Sequence, residues 1–459
     1  MRSDYDTIMA RPAMNIVVLV LALLAVGPIG CSRSNSTPTQ EMQAIQISVP
    51  AGVPFFGAEQ QLAATGTFSD GSTRDMTGVV TWSSSNSRVA TVAQNGLVST
   101  HGKGVTTISA TAGTITDRMR FEFEAERAGF AYVAVHDANT IAIFKIDPET
   151  GLLSEGGRVT TPGVGPRYLE FDPTGTFLFV DFDVSNEVAG YAVDPVTGAL
   201  TLVAGTPVPT GTAPKNITTD PAGKFLYLSN AVSNNVSGYA ITNGALAEIP
   251  GSPFTTGLVP YGLTVNGTGQ FLYITNRDSD DVTAYIIDPG TGSLATMPGS
   301  PFAAGDGPRD ITLSDSGEFA YIPNRFSNDV TVYRVDPVTG MPGQVAGSPF
   351  PAGTDPRSVE LDASGQFLYA GNTVSNDISA YVIDTDSGAL TPIPGSPFPG
   401  GGTPLELSSD PTGKFLYAAN NSSNDVTVFA IDEDTGGLMQ IQTMPAGGNA
   451  VSIVLSGGE

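Results

Sequence analysis

Two positions that recur along the last two thirds of the chain carry most of its basic side chains. One follows a proline and is filled in turn by Arg167, Lys215, Tyr261, Arg309, Arg357 and Leu405, with Val451 in the seventh slot; the other follows an asparagine and holds Arg277 and Arg325. Six of the eleven basic residues between Ala128 and Glu459 thus occupy matching places in a repeat, and matching places gather at one mouth of a closed array. A planar guanidinium suits a carboxylate or a phosphate, so the pattern fits an anionic small molecule or an acidic protein segment. The competing use of these cations is to neutralise acids in adjoining turns, among them Asp278, Asp281, Asp329, Asp377 and Asp425.

Candidates for catalysis are fewer. After each proline the alternate positions Leu169, Ile217, Leu263, Ile311, Val359, Leu407 and Ile453 share an apolar face, which leaves Glu170, Asp310, Glu360 and Glu406 among the opposite positions. There they would line a channel, bind a cation, or act as acid and base. His136 falls at a turn on the same side, and imidazole is the side chain suited to proton transfer near neutral pH. Serine-hydrolase motifs and phosphate-cradling glycine loops are absent. With two histidines and one cysteine in 459 residues, neither a metal site nor a cofactor is expected.

The elements that must hold these residues are repeats. The stretch from Phe271 to Phe302 recurs with its aromatic anchor at Tyr132, Phe179, Tyr227, Tyr273, Tyr321, Tyr369 and Tyr417, seven copies spaced 46 to 48 residues apart. That period matches four short strands per unit, the content of one propeller blade. Frequent glycine (54) and proline (34), with only 14% charged residues, favour tight turns and an all-β fold. From the inside outward the strands are expected as A after the proline, B with the anchor, C after a Ser-Asn-Asp turn, and D with Gly-Ser-Pro-Phe, where proline removes a donor from an exposed edge. Asp172-Pro-Thr-Gly175, Asp220-Pro-Ala-Gly223 and Asp410-Pro-Thr-Gly413 read as A–B turns capped by their aspartates rather than as calcium loops. The first anchor has no A strand before it, whereas Ser452 to Ser456 has the form of one, so the C-terminus is expected to close the first blade.

A formal charge of −25 opposes nucleic acid and anionic lipid as partners and suits an exported, soluble protein. Residues 1–31 read as an export signal: Ile16 to Val26 is apolar but too short to span a bilayer, and it ends before Cys31, the one cysteine. The run Gly27-Pro28-Ile29-Gly30-Cys31 resembles a lipoprotein signal, which implies lipidation of Cys31 and a tether in the cell envelope, at the outer membrane or cell surface. Translation could start at Met1 or Met9. Residues 32–42 have the composition of a linker. Residues 43–124 alternate apolar and polar in short runs, as a small sandwich does. Thr81-Trp82-Ser83-Ser84-Ser85-Asn86, Val89-Ala90-Thr91-Val92, Asn95-Gly96-Leu97-Val98 and Gly104 to Ile108 resemble the group 2 bacterial immunoglobulin-like domain, which implies a spacer or adhesion module without chemistry. Trp82 is expected in its core, and His101 in a solvated loop.

Over residues 128–459 the motifs FLYxxN, SNDVTVY and IDPxTGxL resemble the lactonase-type seven-bladed β-propellers, which include 6-phosphogluconolactonase, muconate-lactonising enzymes and YVTN-repeat surface proteins. The matching residues are scaffold residues, so two functions stay open. The first is a surface-tethered propeller that recognises a protein partner or anionic small ligand at its channel mouth, with the immunoglobulin-like domain as spacer and a membrane contact only through the lipid anchor. The alternative is a lactone hydrolase acting on a sugar-acid lactone.

Overall fold

The computed structural model describes residues 41–49, 59–87, 89–100, 104–123 and 129–456. The expected export signal with Cys31, nearly all of the linker, and His101 lie outside them.

Before the repeats, nine short strands form three three-stranded sheets around one apolar core. Met42–Ser48 pairs with Ala63–Phe68, Thr81–Ser84 pairs with Gly104–Ala112, and the latter pairs with Ile115–Phe123. Trp82 is 3% exposed, packed with Ile47, Leu62, Val98 and Ile108, and its indole N–H donates to the Thr77 carbonyl at 2.9 Å. Burying the ring while satisfying its one donor is what a core tryptophan requires.

Residues 129–456 form a seven-bladed propeller: seven sheets follow one another, each with the same antiparallel order from the inner strand outward. Blades are numbered here in chain order. In blade 3, Pro214–Thr219 is innermost, followed by Phe225–Asn230 and Asn235–Thr242. The A–B turns form as their residues dictate. Asp172 accepts from the N–H groups of Thr174 and Phe177, and Gly175 closes the turn at φ 67°, a conformation glycine adopts without strain.

The outer strand departs from expectation. In blades 2 to 6 it is split into two short pieces that both pair with strand C, as Ala245–Glu248 and Phe254–Thr255 do in blade 3. A Gly-Ser-Pro segment, Gly205-Thr206-Pro207 in blade 2, lies in the gap, and its hydroxyl replaces the missing ladder partner: Ser300 Oγ accepts from Ala284 N at 2.9 Å and Ser348 Oγ from Val332 N at 2.8 Å. Blades 1 and 7, without that segment, keep one long outer strand each, Leu153–Thr160 and Leu438–Pro445.

Adjacent blades are joined by the repeat's own signature. The phenylalanine that begins strand B packs on the positive-φ glycine of the next blade's C–D turn, so that a Cβ on Gly198 would lie 2.5 Å from the Phe130 ring, and one on Gly292 2.5 Å from that of Phe225. The anchor two residues on donates its hydroxyl to the same turn: Tyr132 to the Gly198 carbonyl (2.9 Å), Tyr227 to Gly292 (2.7 Å), Tyr273 to Gly340 (2.6 Å) and Tyr369 to Gly436 (3.0 Å). Tyr417 of blade 7 reaches Gly151 of blade 1 at 2.8 Å, which carries the joint across the closure.

Ala450–Ser456 supplies the inner strand of blade 1, with Val133 opposite Ile453 and Tyr132 opposite Val454, as the sequence pattern requires. Ile453 is buried in the joint between blades 1 and 7 and Val451 in that between blades 1 and 2. Without this strand both joints lose apolar contact and strand B of blade 1 loses a ladder of hydrogen bonds. Deleting residues 446–459 is expected to abolish the cooperative thermal transition, and Ile453→Ala to lower stability by about 2–5 kcal/mol. A truncated chain that melts at the parent temperature would contradict this account of closure.

Candidate functional site

Six of the seven inner strands lead in from a proline on one face of the ring, Ala450 taking that place in blade 1, and run down the channel. Between that proline and the regular part of the strand the register shifts in blades 2, 3, 4, 6 and 7. A bulge breaks the alternation of faces, so two successive residues line the same space. Arg167 with Tyr168, Lys215 with Asn216, and Leu405 with Glu406 form the wall of one cavity of about 390 Å3, counting its open mouth, together with Tyr261, Arg357 and Val451. Arg309 and Asp310 of blade 5 also line it by another route. Pro323 on the neighbouring strand has no N–H to offer, and regular pairing begins only at Thr312–Leu313.

All seven residues of the post-proline column therefore meet at one opening. Arg309 is the most enclosed, 7% exposed, with its guanidinium 3.6 Å from the centroid of the Tyr261 ring. Burial pulls its pKa down to about 9. Among the described residues Arg309 has no carboxylate within ion-pair distance. Burial works to raise the Tyr261 phenol, but Arg309, Arg167, Lys215 and Arg277 outweigh it and bring it to about 8. Arg167 Nε is buried with no hydrogen-bond partner.

The acids that answer these cations are not the ones expected. Asp281, Asp329, Asp377 and Asp425 each accept from the buried asparagine that ends strand B, Asn276, Asn324, Asn372 and Asn420 respectively, at 2.7–2.8 Å. That contact ties the B–C hairpin and engages the carboxylates inside their own blades. Only Asp278 behaves as anticipated, 2.6 Å from Arg277. The other partners are Asp183, bound by Lys215 at 2.9 Å and near Arg167 at 3.7 Å, and Asp355, held by Arg325 at 2.9 Å and Arg357 at 2.8 Å. Six cations (Arg167, Lys215, Arg277, Arg309, Arg325, Arg357) thus stand against three carboxylates in these pairs, which leaves a positive surplus at the mouth. Arg325 sits outside the cavity, over Phe326, and Arg277 lines an adjoining recess.

His136 lies beside the cavity rather than in it. Its Nε2 is 2.9 Å from Asp183 Oδ1, and the other oxygen of that carboxylate holds Lys215 of the cavity wall. Burial would raise Asp183, but the His136 hydrogen bond and the Lys215 and Arg167 charges overcome it and hold the carboxyl at about 2. Asp183 carried a readable signal. The residue after strand B is His136, Asp183, Ala231, Arg277, Arg325, Thr373 and Asn421 in blade order, and reading down that column brings the acid and the imidazole together.

The four carboxyls of the inner strands divide by depth. Asp310 and Glu406 line the cavity, whereas Glu170 and Glu360 stand two residues farther along the strand, about 6–7 Å deeper. Asp310 accepts from Ile311 N and, in the next blade, Val359 N; Glu360 accepts from Ser409 N and Oγ, both at 2.9 Å. These bonds stitch neighbouring inner strands. Glu406 takes a hydrogen bond from the Tyr168 hydroxyl at 3.2 Å. Burial, reinforced by Asp310 and Glu360, pushes Glu406 well above the usual carboxylate range, and burial drives Glu170 up to about 8, Glu360 to about 7 and Asp310 to about 6. Asp181, fully buried with Oδ2 unpartnered, is raised by the same cause to about 7. Among the described residues no group of three or more His, Cys, Asp or Glu side chains is placed to hold a metal ion.

These shifts set the sign of the pH dependence. A carboxyl whose folded pKa exceeds its unfolded one contributes stability that is complete below about pH 4 and lost as pH rises through the folded value. Glu170, Asp181, Glu360 and Asp310 therefore make the fold weaker between pH 5 and pH 8. Asp183, depressed to about 2, has no part in that window. The melting temperature is expected to fall from pH 5 to pH 8, and Glu170→Gln to reduce that fall; an identical slope in the variant would contradict the assignment.

The repeat and its fold have relatives. A sequence model described as lactonase, seven-bladed beta-propeller matches residues 85–215, 207–301, 294–398 and 397–455. Among curated proteins, the 6-phosphogluconolactonase of Bacillus subtilis is 36% identical over 77 residues, 17% of this chain and 22% of that protein. Ice-binding protein 1 of Shewanella frigidimarina is 48% identical over 60 residues, 13% of this chain and 7% of that protein. The chain thus spans less than a quarter of the length of either curated relative. Solved structures of similar fold include a candidate 6-phosphogluconolactonase from Bacteroides uniformis, at TM-score 0.65 and 23% identity over 72% of this chain and 99% of that one. The periplasmic gluconolactonase of Pseudomonas aeruginosa aligns at TM-score 0.63 and 21% identity over 71% of this chain and 98% of that one. Likeness at that identity speaks to fold alone; the four consecutive sequence matches, which take in every blade, say more, and by them the chain belongs to the lactonase family of seven-bladed β-propellers.

Proposed function

We propose that this protein hydrolyses lactones of sugar acids at the cationic mouth of its channel, the second of the two readings open from the residues. The observation that carries it is the convergence of Arg167, Lys215, Arg309 and Arg357 on one cavity with Glu406, whose carboxyl burial pushes well above the usual range. The lactonases among its relatives weigh on the same side. In this proposal the guanidinium groups hold the anionic part of the substrate and the oxyanion that forms when water adds to the lactone carbonyl. Asp183 accepts from the imidazole Nε2–H, which leaves Nδ1 of His136 to take the proton of the attacking water. The oxygen of that water bonds to the carbonyl carbon, the ring C–O bond breaks, and the departing alkoxide takes a proton from Glu406. The products are a hydroxyl and a carboxylic acid on one open chain; the acid ionises to a carboxylate by releasing its proton to solvent, and the proton on His136 passes through solvent to restore Glu406. Export with a lipid tether at Cys31, and an immunoglobulin-like spacer over residues 43–124, would present this site in the cell envelope; both belong to the proposal.

Purified full-length protein is expected to hydrolyse gluconolactone or 6-phosphogluconolactone well above the spontaneous rate. His136→Ala should lower kcat by about 10²- to 10⁴-fold. Arg309→Ala with Arg357→Ala should raise KM or abolish turnover while a thermal melt still shows a folded protein. Rates at background for the folded parent would overturn the hydrolase reading, and saturable binding of hydroxy acids without lactone loss would return the site to recognition alone.

A further inference from the structure

The cationic cavity does not end at Lys215 and Tyr261. Both residues also border a second recess, between blades 3 and 4, of about 800 Å3 counting the space open to solvent. Its walls combine an apolar side, Ala231 and Val232 at the tip of blade 3 with Leu258 and Val259 on the approach to blade 4, and a polar side made by Asn234 and the Arg277–Asp278 pair. Val232 is 67% exposed and Leu258 53%, so two large apolar side chains flank a polar, charged site with no protein atoms covering most of their surface.

The fold does not require apolar residues there. The tip is held by backbone bonds, Val232 N to the Thr212 carbonyl and Asp278 N to the Leu258 carbonyl, both 3.1 Å, which any side chain permits. The same backbone bond joins Gly402 and Ser422 in blade 7 at 3.0 Å and Val164 and Val184 in blade 2 at 3.3 Å, so the position takes small, polar or apolar residues alike. Exposed apolar tips recur around the ring, Val184, Phe326 and Val374 among them; what sets Val232 and Leu258 apart is that they stand together in a recess that opens from the cationic cavity. What reaches them is set by continuity: a ligand whose charged end sits among Lys215, Arg309 and Tyr261 has this recess beside it, with the Tyr261 ring as the shared wall.

We propose that the site takes lactones, and the hydroxy acids they open to, that carry an apolar substituent such as an alkyl or acyl chain, with the head in the cationic cavity and the chain over Val232 and Leu258. The choice of head group rests on the hydrolase reading; the apolar subsite does not. Covering the chain should tighten binding by about fourfold per methylene over the first few carbons, the value of one buried methylene.

Two measurements test this separately. Calorimetric titration with straight-chain carboxylates from acetate to decanoate is expected to show affinity that rises with chain length in the parent and a flattened series in Val232→Ser/Leu258→Ser. Turnover of δ-lactones with side chains from methyl to octyl should give a kcat/KM that climbs with length, and the double variant should cut the octyl-to-methyl ratio by tenfold or more. A chain-length gradient in binding without turnover of any lactone upholds the subsite and overturns the hydrolase reading. No gradient in the parent, or an octyl-to-methyl ratio untouched by the double variant, overturns the subsite.

Discussion

The structure depends on one contact made again at every seam of the ring: the phenylalanine that begins strand B against a glycine in the next blade's C–D turn. A side chain on that glycine would collide with the ring, from Gly198 on Phe130 through to Gly151 on Phe415 across the closure. Tight apposition removes aromatic surface from water on both sides of each seam, and the tyrosine hydroxyl two residues on finds its acceptor in the same turn. The two halves of the repeat signature, FLY and the Thr-Gly turn, are therefore two sides of one joint between different blades.

Rigid seams allow the channel mouth to hold charge. An arginine as enclosed as Arg309, or a carboxylate pinned between His136, Lys215 and Arg167, would relax toward solvent on a loose scaffold. Here the inner strands are bonded across blades by groups that looked like channel lining: Asp310 to Val359, Glu360 to Ser409 and Ser452 to Leu169. Asp310 does both, lining the cavity while it bonds Val359, whereas Glu360 lies deeper and serves the scaffold and Glu406 faces the cavity.

The bulge after each proline also shapes the chemistry. Strict alternation would have sent Tyr168, Asn216 and Glu406 away from Arg167, Lys215 and Leu405. The extra residue turns both members of each pair inward, so that Glu406 and the cations share one small space. In blade 5 a proline on the neighbouring strand achieves the same outcome for Arg309 and Asp310 by withholding a donor.

By itself the sequence determined the number of blades, the strand that closes the ring, the capped A–B turns and the column of residues at the mouth. All of these follow from a period of 46 to 48 residues and from local turn chemistry, which leave their mark in every copy. Tertiary structure alone decided that Asp183 meets Lys215 and Asp355 meets Arg325, because both contacts cross between blades, while the asparagines of strand B had already engaged acids such as Asp329 that lay nearer in sequence to these cations. It decided the split of the outer strand, since serine side chains can stand in for ladder groups without any change in apolar pattern. It decided, too, which carboxyls keep their protons, for desolvation is set by what surrounds a group in space, and each inner strand is surrounded by strands dozens of residues away.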